Sequence, residues 1–314
     1  MNVLVASLIV IGLMASCGGG GKGNQITMTV KTDKEVAFQI AGIGEATVDW
    51  GDGSPVESVS FSDNRTTQCS HQYSDANEYV IKLKGDNITQ LKCRRGMGLT
   101  SLDLGNTHSL TILQCASNKE LTSLDVSKHT ALTSLECDWN KLTSLDVSNN
   151  TALTELICGS NEITALDVSK NKALTKLTCG ANKLTSLDLS NNTALTVLEC
   201  NQNEITALDV SKLTGITHLR CFANKLTALN VNNNPALILL YCNTNEISSL
   251  DLSKNTKLTH VSCASNKMSA EALDATMTGL HNNDIGKKEF EIWGNPGTGA
   301  SNKSIAENKG WNVR

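Results

Sequence analysis

The 314-residue sequence predicts a mainly β protein: a parallel β-solenoid of about ten strands with a C-terminal α/β cap, preceded by a small β-sandwich. Nine of the eleven cysteines recur at intervals of 21 or 22 residues, which indicates a repeat protein. Residues 25–87 instead alternate apolar and polar side chains with period two, as half-buried strands do. With 39% apolar residues, the chain has enough apolar surface to fold.

The N-terminus predicts an export signal over residues 1–17. An apolar run at residues 3–13 is too short to span a membrane as a helix. Small residues then lead to Cys17, and this segment resembles the lipobox of bacterial lipoproteins. The resemblance implies cleavage before Cys17, lipidation of that residue and a glycine-rich tether at residues 18–24. A glycine directly after the cysteine resembles the signal for sorting to the outer membrane. The protein would then lie at the cell surface or on the periplasmic face of that membrane. An ordinary signal peptide is the alternative.

Short alternating runs separated by turn residues predict a β-sandwich over residues 25–87. Residues 48–53 read VDWGDG, a His-x-Tyr strand follows at 71–73, and Tyr79 begins a closing strand. This pattern resembles the PKD (polycystic kidney disease) domain, which implies a spacer or an Ig-like binding module rather than a catalyst. The two aspartates of the VDWGDG turn suit either calcium or ordinary Asp-Gly turn chemistry, and the latter is the simpler expectation.

The repeat unit is clear in residues 132–150, which read LTSLECDWNKLTSLDVSNN, or LxxLxCxxNxLxxLDVSxN. This pattern resembles the leucine-rich repeat, with cysteine at a position usually held by an aliphatic residue. The resemblance implies a solenoid with one short strand per unit over residues 88–267. Leu135 and Cys137 alternate on that strand and point inward. Asn140 recurs in the following units, and its amide can satisfy the turn backbone on both sides.

The regular cysteines predict a column of buried thiols rather than a metal site or disulfides. Zinc sites use paired Cys-x₂₋₄-Cys spacings, which this column lacks. Parallel strands lie about 4.8 Å apart, whereas a disulfide needs Cβ atoms about 3.8 Å apart. We therefore expect no metal and no cofactor. The column contains Cys93, Cys115, Cys137, Cys158, Cys179, Cys200, Cys221, Cys242 and Cys263.

Two further columns are regular. The residue after the recurring asparagine alternates between lysine and glutamate, which predicts a 42-residue copy unit with opposite charges on neighbouring coils. The aspartate of LDVS recurs as well. We expect it to cap its own turn, with calcium along this edge as the alternative.

Residues 268–314 break the period and predict a C-terminal cap. A helical pattern covers residues 268–280, a strand around Ile292 repeats the unit once more, and a last strand lies near residues 311–313. The open end of a solenoid needs such a cover.

The strand positions that vary between units predict a binding surface. In leucine-rich repeats these positions face the concave side, and here they vary while the framework is nearly invariant. Aromatic residues together with arginine are typical of interaction hot spots. The predicted ligand-binding residues are Trp139, Val197, Glu199, His218, Arg220, Phe222, Leu239, Tyr241 and His260.

The predicted function is non-catalytic recognition of a protein or glycan at the bacterial envelope, such as adhesion. A structural spacer or surface-coat element without a specific ligand is the alternative. No nucleophile elbow, zinc-binding helix or phosphate loop is present, so we expect no enzyme. A net charge of −4, from 27 basic and 31 acidic residues, argues against nucleic acid. After the signal no 18-residue apolar stretch occurs, so membrane contact is expected through the lipid anchor only.

Overall fold

The computed structural model describes residues 24–61, 65–94 and 96–314. The signal, the tether and the predicted lipidation site Cys17 lie outside the described residues. The chain divides into two compact units, and the first comprises the described residues up to Leu132 together with Trp139–Lys141. The second comprises Thr133–Asp138 and Leu142–Arg314. Within the described ranges, no helix has both the length and the apolar character needed to cross a membrane.

The first unit is built from strands in two sheets. The strands are β1 (Gln25–Thr32), β2 (Glu35–Gly42), β3 (Glu45–Asp49), β4 (Glu57–Ser60), β5 (Thr67–Gln72), β6 (Asn77–Lys84), β7 (Ile88–Lys92), β8 (Leu99–Asp103) and β9 (Ile112–Gln114). One sheet has the order β4-β3-β6-β1-β8, and the other places β5, β2, β7 and β9 side by side. All pairings are antiparallel except that between β7 and β9.

The two sheets of the first unit share an apolar core. Strand β1 buries Ile26, Met28 and Val30 with the predicted period of two. The rings of Phe38 on β2 and Trp50 after β3 lie 5.5 Å apart between centroids, so side chains of the two sheets touch. The alternation predicted for this region is therefore confirmed as strands packed on a common core. Its relationship to the PKD family stays a prediction.

The sheets of the first unit continue into what the sequence indicates is the first repeat. Strand β7 pairs antiparallel with β2, and β8 pairs antiparallel with β1. The strands of this repeat thus extend the two sheets of the predicted sandwich. The domain limits at residues 87 and 267 stay predictions.

The second unit is a solenoid of short strands followed by a cap. Its elements are β10 (Ser134–Glu136), β11 (Glu155–Ile157), β12 (Lys176–Thr178), β13 (Val197–Glu199), β14 (His218–Arg220), β15 (Leu239–Tyr241), β16 (His260–Ser262), α1 (Ala270–Gly279), β17 (Lys288–Glu291), α2 (Ser304–Glu307) and β18 (Trp311–Val313). From β10 to β18 each strand pairs in parallel with the next strand along the chain. The predicted β-solenoid with an α/β cap is confirmed.

Each coil of the second unit buries the framework positions of the repeat. Leu198 and Cys200 are fully buried, while Val197 and Glu199 on either side of Leu198 remain half-exposed. The ten cysteines among the described residues are buried and lie outside any disulfide. The predicted burial of the cysteine column in the core is confirmed.

The recurring asparagine joins neighbouring coils, as its amide chemistry predicts. The Nδ2 of Asn203 donates to the carbonyl oxygens of Cys179 and Cys200, each at 3.1 Å. Its Oδ1 accepts from the backbone N–H of Leu184 at 3.0 Å. The side chain is only 8% exposed, so it replaces water as the partner of three buried backbone groups.

A second asparagine column was not singled out by sequence reasoning. Asn192 is fully buried, and its Nδ2 donates to the carbonyls of Val168 and Asn171 at 2.9 and 3.0 Å. Asn234 repeats the arrangement in a later coil, whereas Leu213 holds the position in one coil between them. The asparagine near the end of the LDVSxN pattern is thus a second backbone clamp.

Ion pairs between coils follow the predicted alternation of charge. In the second unit Lys183 contacts Glu162 at 2.9 Å and Lys225 contacts Glu204 at 2.8 Å. These side chains are about half-exposed, and such a pair contributes about 0.2–1 kcal/mol. The pairing therefore adds little to the stability of the solenoid.

The aspartates of the LDVS segments cap their own turns. Asp167, Asp188 and Asp209 each accept a hydrogen bond from the backbone N–H two residues later, at 2.8–2.9 Å. These N–H groups and the neighbouring serine hydroxyls lower the pKa of each carboxyl. Asn230, at the equivalent position, makes the same contact at 3.0 Å. The capping interpretation is confirmed. Because asparagine makes the same contact, the cap requires a side-chain oxygen as acceptor but not a negative charge.

Replacing Asp167, Asp188 and Asp209 together by asparagine should reduce the loss of stability in acid. Because the folded pKa of each carboxyl is lowered, its contribution is present above the unfolded pKa and is lost as the pH falls through the folded pKa. Asparagine keeps the hydrogen bond, as Asn230 does, but does not titrate. We expect a smaller drop in the urea midpoint between about pH 5 and about pH 3 than in the wild type.

The matched control is Asp33→Asn, an exposed aspartate outside the column. If the urea midpoint of the triple variant fell as much in acid as that of the wild type, the capping carboxylates would not have this role.

Candidate functional site

Eight of the nine predicted binding residues lie together on the second unit. Strands β13 to β16 pair in register, so that Val197, His218, Leu239 and His260 form one row across the strands. Glu199, Arg220 and Tyr241 form a second row, and Phe222 follows the buried Cys221. We call the outward surface of these strands, together with β17, the β13–β17 face.

Arg220 is held between two neighbours on the β13–β17 face. Its guanidinium forms an ion pair with Glu199 on one side, and its Cζ lies 5.6 Å from the ring centroid of Tyr241 on the other. The side chains of Arg220 and Glu199 are 36% and 25% exposed, so the pair is only partly screened by water. A planar guanidinium fixed in this way presents its remaining donors in one orientation.

The two histidines are separated by a leucine. His218 and His260 each contact the hydroxyl of the preceding threonine through Nδ1 at 2.9 Å. Leu239 lies between them in the row, so the histidines are two strands apart, about 10 Å. That distance is too great for them to ligate one metal ion.

Other candidate metal positions are occupied by protein donors. In the turn after β3, the carboxylates of Asp49 and Asp52 accept from the backbone N–H groups of Gly51 and Ser54 at 3.0 Å. Asp52 also contacts Nε2 of His71 at 2.6 Å. Within the part of the chain that the structure describes, no three His, Cys, Asp or Glu side chains converge to hold a metal ion.

The face extends further than sequence reasoning found. His260 pairs with Glu289 and Ser262 with Glu291, so β17 continues the register. Trp293 follows Ile292, as Phe222 follows Cys221, and is 52% exposed. The sequence already indicates this place for Trp293, because Ile292 holds the cysteine position of the repeat. Trp293 therefore adds an exposed aromatic side chain to the face.

Glu289 anchors the charges at this end of the face. Its carboxylate contacts the ammonium of Lys287 at 2.6 Å and the guanidinium of Arg314 at 3.3 Å. The hydrogen bond from Lys287, with the nearby positive charge of Arg314, lowers the pKa of Glu289. The face thus carries both signs of charge at fixed positions.

Trp139, the ninth predicted residue, belongs to the first unit. It is 62% exposed and has a φ of 56°, a left-handed conformation that is unfavourable for a bulky residue. The equivalent positions of other coils hold small or polar residues such as Ala181 and Ser160, with φ of 53° and 52°. Trp139 thus occupies a turn position rather than one of the strand positions of the β13–β17 face.

Solved structures of leucine-rich-repeat proteins are similar to this chain. The functional domain of InlJ from Listeria monocytogenes, which includes a cysteine ladder, gives a TM-score of 0.62 at 38% identity, covering 75% of this chain and 50% of that one. An internalin, InlF, from Listeria monocytogenes gives 0.57 at 22% identity, covering 66% and 62%.

A third similar structure comes from a plant. The leucine-rich-repeat ectodomain of the receptor kinase GASSHO1/SCHENGEN3 from Arabidopsis thaliana, in complex with CASPARIAN STRIP INTEGRITY FACTOR 2, gives a TM-score of 0.52 at 18% identity. It covers 66% of this chain and 27% of that one. At such identities InlF and the plant ectodomain show the fold alone.

No family model matches the chain, and no curated protein matches it. The chain spans about half the length of the InlJ structure. The predicted fold class, a leucine-rich-repeat solenoid with a cysteine column, is confirmed by these likenesses.

Proposed function

We propose that this chain is a non-catalytic binding protein that recognises a protein partner through the β13–β17 face. The observation that carries the proposal is the fixed position of Arg220 between Glu199 and Tyr241. Arginine, tyrosine and tryptophan dominate the energetics of protein interfaces when they are held rigidly. Here the register of parallel strands holds them, so that little side-chain entropy remains to be lost on binding.

The surroundings of Arg220 favour a protein over a uniformly charged polymer. Phe222 and Trp293 supply apolar contact area on the same column of the face. Glu199 and Glu289 place negative charge beside the positive charge of Arg220 and Arg314. Mixed charge around aromatic anchors is the pattern of a protein interface. A glycan is the alternative ligand for the same aromatic residues.

The setting of the protein is part of the proposal. The lipobox-like segment at Cys17 supports an acyl-anchored protein of the bacterial outer membrane, with the face available for adhesion. Two of the similar structures are bacterial leucine-rich-repeat proteins, which supports a binding role in general. The plant ectodomain, solved in complex with a named factor, is an example of a leucine-rich-repeat protein with a bound partner.

The test is a screen of the full chain against arrayed extracellular proteins and glycans, alongside the variant Arg220→Ala/Phe222→Ala/Tyr241→Ala. We expect a protein to bind the wild type and the triple variant to bind it at least 100-fold more weakly, because the loss of even one hot-spot side chain costs about 2 kcal/mol or more, which is about 30-fold in affinity. The matched control is Lys212→Ala/Lys254→Ala/Lys257→Ala, which changes three exposed residues outside the face.

Each outcome of the screen decides a point. Binding retained by the face variant would place recognition elsewhere and overturn the proposal. A glycan hit lost in the same variant would keep the site and change the ligand class. If the folded wild type bound nothing in the screen, the spacer or surface-coat alternative would be favoured.

A further inference from the structure

We propose a second binding site, for acidic oligosaccharides, on the outward face of the sheet formed by β5, β2, β7 and β9 in the first unit. Gln68, Gln39, Lys92 and Gln114 stand directly opposite one another across these four strands. At about 4.8 Å per strand, they form a straight row about 14 Å long. We call this the Gln–Lys row.

The Gln–Lys row lines a shallow cavity. The cavity has a volume of about 340 Å³ and is also lined by Ala37, Phe38 and Arg94. The ring of Phe38 is 2% exposed, so it closes the floor from below rather than offering an apolar anchor. The groups available to a ligand are therefore the three carboxamides and the ammonium group of Lys92.

The hydrogen-bonding capacity of the row is not used within the protein. The side chains of Gln39, Gln68, Lys92 and Gln114 make no hydrogen bond or ion pair to any residue of the described ranges. Lys92 and Gln114 are nevertheless half-buried, which restricts their side chains. Partly ordered polar groups without internal partners are suited to binding a polar ligand, because little must be broken or reordered first.

The chemistry of the row selects the class of ligand. A carboxamide both donates and accepts, which matches the hydroxyl groups of a sugar. Lys92 brings a positive charge to the centre of the row, and no carboxylate lines the cavity, which matches an acidic sugar such as a uronic acid. A linear arrangement of similar groups suits a chain of repeating sugars laid across the strands.

Two other classes of partner fit less well. A protein partner is normally held by aromatic or apolar anchors, and no exposed residue of that kind lines the cavity. Single-stranded nucleic acid is normally held by stacking on aromatic rings, and the one ring here is buried. The acidic oligosaccharide is the ligand that uses all four side chains of the row.

The experiment is calorimetric titration of the full chain with a galacturonic acid hexasaccharide, and with a neutral glucose hexasaccharide for comparison. We expect the acidic sugar to bind and Lys92→Gln to bind it at least tenfold more weakly, since hydrogen bonds to charged groups contribute most. Gln39→Ala/Gln114→Ala should also weaken binding. The matched control, Lys34→Gln, removes one charge from an exposed position outside the cavity and should bind as the wild type does.

Three results would overturn the site. These are no binding of the acidic sugar, an equal loss in the control variant, or equal binding of polyglutamate and single-stranded DNA. The Arg220→Ala/Phe222→Ala/Tyr241→Ala variant should keep the sugar affinity, because its substitutions lie in the second unit. Failure of this site and failure of the proposed function can therefore be told apart.

Discussion

Asn203→Leu is expected to lower the free energy of unfolding by about 3–5 kcal/mol. The leucine would leave the buried backbone N–H of Leu184 without its acceptor, and it would remove the donor shared by the carbonyls of Cys179 and Cys200. An unpaired buried group costs about 1–3 kcal/mol, and each lost hydrogen bond about 1 kcal/mol more. Leucine has the same number of side-chain heavy atoms as asparagine and the same branch at Cγ, so the substitution opens no cavity and the effect reports mainly the lost hydrogen bonds.

Urea denaturation followed by circular dichroism measures this change. The matched control is Asn201→Ala, two residues earlier, where other coils carry glycine or alanine, as at Gly180 and Ala264. The control should change stability by less than about 0.5 kcal/mol. If Asn203→Leu were equally mild, the asparagine column would not be a main support of the solenoid.

The thiols of the cysteine column should not react with a disulfide reagent while the protein is folded. Burial raises the pKa of the Cys200 thiol from 9.0 to about 12, and burial acts in the same direction on Cys158 and Cys242. Near pH 8 this lowers the reactive thiolate fraction about a thousandfold, before exclusion of the reagent is counted. Reaction with a disulfide reagent should therefore be slower than that of an exposed thiol by three orders of magnitude or more.

The measurement uses a Cys17→Ser variant, which leaves the ten buried cysteines. We expect no thiol to react in the native state and all ten to react in guanidinium chloride. Adding Lys212→Cys at an exposed position gives one fast thiol as the internal standard. Several native thiols reacting at the rate of that standard would show that the column is accessible.

The solenoid was predictable because the period of the sequence determines which residues of neighbouring coils lie side by side. Leu135, Cys137 and Asn140 recur at fixed intervals, and stacking equal positions places each beside its copy. The same arithmetic puts Glu199 beside Arg220 and Arg220 beside Tyr241, so the centre of the candidate site was within reach of sequence reasoning.

Features outside the period were missed. Trp293 was not predicted as part of the site because α1 is inserted in the cap, so that Ile292 follows Cys263 by 29 residues rather than 21. The Gln–Lys row escaped because it depends on antiparallel pairing of β2 with β5 and β7, which no repeat encodes. Asn192 was visible in the pattern, but its role depends on the carbonyls that the preceding coil directs toward it.

The alternation of lysine and glutamate between coils constrains how a gene of this kind can change length. Loss or duplication of one 21-residue segment would set lysine beside lysine or glutamate beside glutamate at the junction, where Lys183 now meets Glu162 and Lys225 meets Glu204. Loss or duplication of 42 residues restores every pairing. Recombination between repeats would therefore be tolerated best in steps of two coils, each adding about 10 Å to the stack.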